Sequence, residues 1–166
     1  MTYVVGYSPH KDDTCALELA CQFARSEADA VHAVTVVPRG WETSAGSATD
    51  GDFTAWARRE GEASAAEALS VLAAHPDVAG DASWVTGRSV PAALLAQATT
   101  LDASVLVVGS GVAGGAGLVT VTSKTDRILH SSDVPVAIAP RGYRTARDSR
   151  IEQVTVAFRD DDQTWR

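Results

Sequence analysis

The sequence predicts a doubly wound α/β fold, an open sheet of five parallel strands with helices on both faces. Short apolar segments rich in β-branched residues alternate along the chain with longer segments of helical spacing. Alternation of this kind builds a parallel sheet that helices cover on both faces. Apolar residues make up 45% of the 166 residues, which is enough for the core of one domain.

Five short segments have the composition of strands, and turn residues bound each of them. The first, YVVGY, is broken by Ser8 and Pro9, and the second is stopped by Pro38. The third alternates polar and apolar residues with period two, which indicates a more exposed strand. The predicted strands are Tyr3–Tyr7, Ala30–Val37, Asp81–Thr86, Ser104–Val108 and Val136–Ala139.

Four segments between these strands have helical signals. Asp12, Asp13 and Thr14 supply caps and first-turn acids for a helix that ends at Ser26-Glu27. A loop rich in Gly, Ser, Thr and Asp is predicted over residues 39–52, before the second helix. The remaining predicted helices are Thr54–His75, ended by Pro76, the segment VPAALLAQAT after the cap Ser89, and Ser123–Ser131.

Composition and charge exclude several classes of function. The net charge of −7 disfavours nucleic acid as a partner, because an acidic surface repels phosphate backbones. No basic leader precedes an apolar stretch, and no apolar run approaches the roughly 18 residues of a membrane span. Cys15 and Cys21 are interpreted as small core hydrophobes of a reduced, cytoplasmic protein. The four histidines are scattered, so no metal site is expected.

The segment after residue 140 reads as an appendage to the domain at 1–140. Residues 141–151 form an Arg-rich linker, and VTVAF (Val154–Phe158) follows as an extra strand. VTVAF aligns with YVVGY at a spacing of one domain length, which predicts that 152–166 opens a second copy of the same domain. The alternative is a sixth strand added to the first domain, because a lone strand cannot bury its own face.

A glycine-rich loop follows the fourth strand, at the edge of the sheet where such folds bind ligands. Residues 109–114 match GxGxxG, but the helix opens well past them, so a dinucleotide-binding fingerprint is not expected. Two interpretations remain open. In one, Gly114, Gly115 and Gly117 allow close backbone approach, and Thr122, Ser123 and Lys124 present free N–H groups to an anion. In the other, Ser123 is only the N-cap and the glycines only make a flexible loop. A catalytic triad of Ser123, Asp126 and His130 is not expected, because side chains on one short helix rarely converge.

The segment from Gly109-Ser110 through SKTDRILH to Val134-Pro135-Val136 resembles the C-terminal signature of universal stress proteins. The first strand and helix are also similar to that family, and the resemblance covers about residues 2–140. It implies the strand order 3-2-1-4-5 and a homodimer, often formed through the last strand. It also implies that tandem two-domain chains are common relatives.

In that family, nucleotide-binding members carry G-x2-G-x9-G-[ST] in this loop. The matching positions here are Gly109, Val112, Thr122 and Ser123, so the second and third glycines are missing. Ser8 stands where the family often has an aspartate that contacts adenosine. The candidate nucleotide-contacting residues are Ser8, Val36, Gly109, Gly111, Gly114, Gly115, Gly117, Thr122, Ser123 and Lys124.

The sequence therefore supports two hypotheses of function. The first is a non-enzymatic, dimeric stress-response or regulatory module whose nucleotide site is degenerate, weak or absent. The second is a genuine ATP- or AMP-binding protein that uses residues 109–124 as a phosphate cradle, with Lys124 pairing with phosphate.

Overall fold

Five parallel strands form the sheet of this domain, in the order β3-β2-β1-β4-β5. The computed structural model describes residues 1–9, 14–39, 48–111, 113 and 115–157, and of 48–50 the backbone only. The strands are β1 (Thr2–Tyr7), β2 (Ala30–Pro38), β3 (Ala79–Gly87), β4 (Ala103–Gly109) and β5 (Val136–Ala139). In the centre of the sheet, Val4 of β1 lies opposite His32 on one side and Leu106 on the other. The predicted fold class and strand order are confirmed.

Two helices cover each face of the sheet within the described residues, and the two faces have separate cores. The helices are α1 (Cys15–Glu27), α2 (Ala48–Leu72), α3 (Val90–Thr100) and α4 (Ser123–Ser131). Successive side chains of a strand point to opposite faces. Tyr3 and Val5 of β1 therefore pack in the cluster that contains α1 and α2 residues, whereas Val4 packs with those of α3 and α4. None of these helices, over the part of the chain described, is both long and apolar enough to cross a membrane.

The second helix differs from its predicted bounds at both ends. It begins at Ala48, so residues 48–52 are helical where a loop was expected, and 40–47 lie outside the described residues. The first two turns of the helix are mainly polar and contain Gly51, and this composition led to the prediction of a loop. The helix ends at Leu72 rather than His75, because the residue before a proline is disfavoured in the α conformation. The N–H of His75 instead closes a turn onto the Leu72 carbonyl, at 2.8 Å.

The other elements lie close to their predicted positions. Strand β3 is longer than predicted by two residues at its start and one at its end, and it is the exposed edge strand that its alternation indicated. Helix α4 and strand β5 have the predicted bounds. Asp12 and Asp13, predicted as caps of α1, lie outside the described residues. Cys15 and Cys21 are buried in the core and are not joined by a disulfide, as expected.

The segment after β5 is docked along α1. The Tyr143 hydroxyl donates to the Gln22 side chain, and the Ile151 N–H donates to Ser26 Oγ at 2.8 Å. Beyond Ile151 the chain has no strand up to residue 157, and Val154 is 74% exposed. The structure has no strand over Val154–Ala157, and Phe158 lies outside the described residues, so the predicted extra strand stays a prediction. No strand of the sheet pairs with this stretch, so its backbone groups have no ladder to join. The predicted second domain itself stays a prediction.

One buried arginine connects three segments on this side of the sheet. Arg25 of α1 pairs with Asp77, which follows α2, and donates to the Ser149 carbonyl of the docked segment at 3.1 Å. The Arg25 side chain is only 4% exposed, so its charge depends on these partners. The hydrogen bond from Arg25 holds the pKa of Asp77 below its ordinary value.

Candidate functional site

A cavity of about 160 Å³ lies at the carboxyl ends of β1 and β4. These neighbouring strands lead into helices on opposite faces of the sheet, so their ends splay apart, and such a switch point is the usual ligand site of doubly wound folds. The cavity is bordered by the ends of both strands, by the start of α1 and by α4, with α3 below. Its wall includes Tyr7, Ser8, Cys15, Ser110 and Lys124.

Two glycines allow the walls of this cavity to approach each other closely. A Cβ on Gly6 would lie 2.9 Å from Cδ1 of Leu94, and a Cβ on Gly109 would lie 3.3 Å from Sγ of Cys15. Both glycines therefore serve the packing of strand ends against helices. The hydroxyl of Tyr7, on the same wall, donates a hydrogen bond to the Glu67 carboxylate. Burial together with this bond raises the pKa of Tyr7 above its ordinary value.

The glycine loop is tied to itself at its two ends. The N–H of Gly111 donates to the Thr120 carbonyl at 2.9 Å, and the Thr120 N–H donates to Ser110 Oγ at 2.7 Å. A Cβ on Gly111 would lie 2.6 Å from Cγ2 of Thr122. Further along, Gly117 has a φ of +79°, which favours glycine, and its N–H donates to the Arg141 carbonyl at 2.8 Å. These contacts hold the described part of the loop against the end of β5.

Helix α4 opens directly onto the cavity, and its N-cap is Thr122 rather than Ser123. Thr122 Oγ1 accepts from the Thr125 N–H at 3.2 Å, and the Thr122 carbonyl accepts from the Asp126 N–H at 2.8 Å. A helix leaves its first N–H groups without intrahelical partners. After these two bonds, the N–H groups of Ser123 and Lys124 have no acceptor in the part of the chain that the structure describes. The start of α4 is therefore able to hold an anion.

A second cavity of about 380 Å³ lies beside the first, between the N-termini of α3 and α4. The ends of β2 and β3 close it on the third side, at Pro38 and Gly87. Val90 and Lys124 line both cavities, so the two are neighbours. Ser123, Arg88 and Arg127 complete its polar wall.

The candidate residues from the sequence divide into three groups. Five line the first cavity and one lines only the second: Ser8, Gly109, Gly111, Thr122 and Lys124 in the first, and Ser123 in the second. Three line neither cavity: Val36, Gly115 and Gly117. Gly114 lies outside the described residues, as does Val112.

Sequence reasoning missed several residues that line the cavities. Tyr7 and Cys15 were interpreted only as core residues, although both follow from the strand end and helix start that border the switch point. Arg88 and Arg127 had no motif to mark them. For Arg88, the available sequence signal was its position directly before Ser89, the cap of α3.

The chain matches the model of the universal stress protein family over residues 1–140. It belongs to the universal stress protein family. Universal stress proteins of Mycobacterium tuberculosis and Mycobacterium bovis are each 40% identical to it over 159 residues, which is 95% of this chain. That match covers 54% of each relative, so the chain spans about half the length of the curated relatives it matches.

Solved universal stress proteins share the fold. One from Burkholderia pseudomallei has a TM-score of 0.63 at 21% identity, covering 84% of this chain and 95% of that one. One from Archaeoglobus fulgidus, in complex with dAMP, has a TM-score of 0.58 at 19% identity and covers 84% and 97% of the two chains. A universal stress protein in complex with cAMP has a TM-score of 0.58 at 22% identity and covers 84% and 96%.

Proposed function

We propose that this universal stress domain is a non-enzymatic regulatory module of the cytoplasm that binds an adenine nucleotide weakly and reversibly. The observation that carries the proposal is the open start of α4 beside the switch-point cavity. There the free N–H groups of Ser123 and Lys124, the positive end of the helix dipole and the Lys124 ammonium all favour a phosphate group. The solved neighbours in complex with dAMP and cAMP support an adenine nucleotide as the ligand.

Several features of the cavity support weak rather than tight binding. Its volume of about 160 Å³ is below the roughly 300 Å³ at which ligand pockets usually begin. The hydroxyls of Ser110 and Thr122 already accept hydrogen bonds from the backbone. Thr122 also brings a methyl group to the entrance of the loop, against Gly111. We expect dissociation constants between about 10 μM and 1 mM, or about −7 to −4 kcal/mol.

The described side chains support a binding role rather than catalysis. His130 lies 3.4 Å from Asp126 Oδ1, but both are exposed on α4 and neither lines either of the two cavities described above. Over the described residues no group of three or more His, Cys, Asp or Glu could hold a metal ion. In this proposal the nucleotide acts as a regulatory ligand, which is bound and released without chemical change.

The test begins with protein purified without added nucleotide and denatured, whose supernatant is analysed by anion-exchange chromatography. The stripped chain is then titrated calorimetrically with AMP and ATP. Lys124→Ala should weaken ATP binding about three- to tenfold, because it removes the ammonium partner of the phosphate, and Ser123→Ala should weaken it less, because the Ser123 N–H remains. Ser131→Ala, at the far end of the same helix, serves as the control and should bind normally. The absence of heat at millimolar ATP and AMP would refute nucleotide binding.

We further propose that the domain assembles with a second copy through β5. Strand β5 is an edge of the sheet, and four apolar residues near it or on α4 are exposed: Leu118, Val119, Val121 and Leu129. An apolar patch beside an unpaired edge is typical of a protein interface. Analytical ultracentrifugation should show that the wild-type chain is a dimer. The double substitution Leu118→Lys with Val121→Lys should dissociate this dimer. Val154→Lys, at an exposed valine of the tail, is the control and should leave the dimer intact. A wild-type monomer at 100 μM would contradict the proposal.

We also infer that residues 152–166 open a second universal-stress domain. The support is the VTVAF alignment with the first strand, the exposure of Val154 and Val156 on the end of this domain, and the greater length of the relatives. A longer reading frame that encodes a second such domain after residue 166 is the expected observation. A stop codon there would count against it.

A further inference from the structure

We propose that Ser83 is a nucleophile that accepts a short acyl group from an activated donor, a thioester or an acyl phosphate, with His32 as its general base. This inference goes beyond nucleotide binding, because it concerns covalent modification of the protein itself. The two residues lie near the first residues of β3 and β2, at the end of the sheet opposite to the two cavities. The reaction is therefore independent of the proposed nucleotide site.

A series of polar contacts joins three side chains on these strands. His32 Nε2 lies 2.8 Å from Ser83 Oγ, and His32 Nδ1 lies 3.7 Å from Asp81 Oδ2. The other carboxylate oxygen, Asp81 Oδ1, accepts from the Ala82 N–H at 2.8 Å, which holds the carboxylate in its orientation. Serine, histidine and aspartate connected in this order activate a serine hydroxyl on several unrelated folds.

The register of the two strands brings these groups together. His32 of β2 lies directly opposite Asp81 of β3, and Ser83 is two residues further along β3. Residues two apart on a strand point to the same face, and a long side chain reaches both the opposite and the diagonal position on the neighbouring strand. The imidazole therefore lies between the carboxylate and the hydroxyl. Ser83 is 51 positions from His32 in the sequence, so no local motif marks the pair.

The Asp81 carboxylate favours the tautomer of His32 that a general base needs. An anion beside Nδ1 favours the proton on that nitrogen, which leaves Nε2 with a lone pair to accept from the Ser83 hydroxyl. At 3.7 Å the contact is electrostatic, and such contacts often tighten only when a substrate is bound. The other neighbours add no charge: β1 places Val4 beside His32, and helix α3 on this face has the uncharged sequence VPAALLAQATT.

The serine is accessible to a small reagent, whereas its base is shielded. Strand β3 is an edge of the sheet, and Ser83 is partly exposed on it. The Asp81 side chain is 74% exposed, but that of His32 is only 15% exposed. Partial burial of the imidazole lowers the local dielectric and strengthens its hydrogen bond to the hydroxyl. A short acyl donor therefore reaches Oγ directly from solvent, at a point where the base is held in place.

In the reaction, Ser83 Oγ attacks the carbonyl carbon of the donor, and the hydroxyl proton passes to His32 Nε2. The bond between the carbonyl carbon and the leaving group then breaks, and the proton on Nε2 departs with the thiol or the phosphate. The product is an acyl ester on Ser83, with His32 neutral again. Asp81 keeps its charge throughout and acts as a positioning residue. The protein is modified once, so the proposal requires no turnover.

The test uses p-nitrophenyl acetate as the probe and the full chain at pH 7.5. We expect about one equivalent of nitrophenolate per chain and an acetyl group on Ser83, located by peptide mass spectrometry. His32→Gln should slow acetylation of Ser83 about 100-fold, because general bases contribute at least this much. Thr86→Ala, at an exposed hydroxyl further along β3, is the control and should react normally.

The pH dependence of the reaction tests the role of Asp81. The rate of Ser83 acetylation should rise between pH 5 and 8, because only a neutral imidazole can take the hydroxyl proton. Asp81→Asn should slow the reaction about tenfold and displace this profile to lower pH, because it removes the anion beside the ring. A merely structural role of Asp81 would leave the profile unchanged. Thermal unfolding shows whether each variant folds.

Acetylation of Ser83 that depends on His32 supports the proposal. Ser83 left unmodified while lysines or the exposed His130 react would overturn it, as would equal rates in the wild type and His32→Gln. If His32→Gln does not fold, Asp81→Asn at the exposed carboxylate decides, and an unchanged rate and pH profile there would overturn the proposal. Acetyl phosphate and acetyl-coenzyme A are then compared in the same assay, and the faster donor identifies the source of the acyl group.

Discussion

The contact between Gly61 and Trp84 gives a prediction in which two well-known effects oppose each other. Gly61 lies inside α2, where alanine is ordinarily preferred to glycine by about 1 kcal/mol. A Cβ at this position, however, would lie 2.1 Å from Cδ2 and 2.5 Å from Cγ of the Trp84 ring on β3. Normal carbon contacts are about 3.5–4.0 Å, so the ring or the helix would have to move by about 1.5 Å.

We expect the steric effect to exceed the helical preference in Gly61→Ala. Overpacking of this kind costs about 1–3 kcal/mol, and the clash involves atoms near the base of the ring, which cannot move freely away from the strand. The net expectation is a loss of about 1–2 kcal/mol in the free energy of unfolding. In a Trp84→Ala background the clash is absent, so the same Gly61→Ala change should stabilise the domain by about 0.5–1 kcal/mol. The reversal of sign between the two backgrounds is the specific signature.

Urea unfolding followed by circular dichroism at 222 nm measures all four members of this cycle. Gly51→Ala is the matched control, because it lies in the same helix and its Cβ would meet nothing within 4 Å. It should stabilise the domain by up to about 1 kcal/mol. If Gly61→Ala stabilises the domain with Trp84 present, or if the two substitutions are additive within about 0.5 kcal/mol, the steric reasoning is refuted.

Three further predictions concern the α1 side of the sheet. Arg25→Met should lower the free energy of unfolding by about 1–3 kcal/mol, because Asp77 and the Ser149 carbonyl lose a buried partner; urea unfolding measures this, and an unchanged midpoint would contradict it. The depressed pKa of Asp77 contributes stability that is present above its unfolded pKa of about 3.9 and is lost as pH falls through the folded pKa. The acid-induced loss in the free energy of unfolding between pH 5 and 2 should therefore be smaller in Arg25→Met than in the wild type. Burial raises the pKa of Cys21 to about 12, so in Cys15→Ala protein a thiol reagent at pH 8 should label Cys21 only after denaturation, and rapid labelling of the native protein would disprove its protection.

The elements that were predicted well are those with strong local signals. Strand β5 lies between two prolines, and β1 is an apolar run cut off by Ser8 and Pro9, so their bounds depend on neighbouring residues alone. The start of α2 could not be found this way, because its first turns lack the apolar spacing that marks a helix. The stretch at Val154–Ala157 shows the opposite limit. Its composition favours a strand, but a strand needs a partner, which composition does not supply.

The candidate site was predictable in its location but only partly in its residues. Strand order places a ligand site where β1 and β4 end, and the glycine loop after β4 marked that edge. Thr122 and Ser123 could both cap α4, and only the backbone conformation assigns the role to Thr122. Arg88 and Arg127 are far apart in the sequence. Their common pocket depends on α3 and α4 lying side by side, which no spacing pattern records.

The docking of the tail along α1 determines how the domain would respond to mechanical force. From the end of β5 the tail runs beside Gln22, Arg25 and Ser26, and its last anchor is the hydrogen bond from the Ile151 N–H. It therefore runs from the side of the sheet where the strands end, which bears the cavities, to the side where the strands begin. A pulling force on the chain beyond Ile151 would load and break these hydrogen bonds one after another. The tail would detach from α1 at low force. It would then act as an extensible linker, so that the sheet and the cavities would not bear the load.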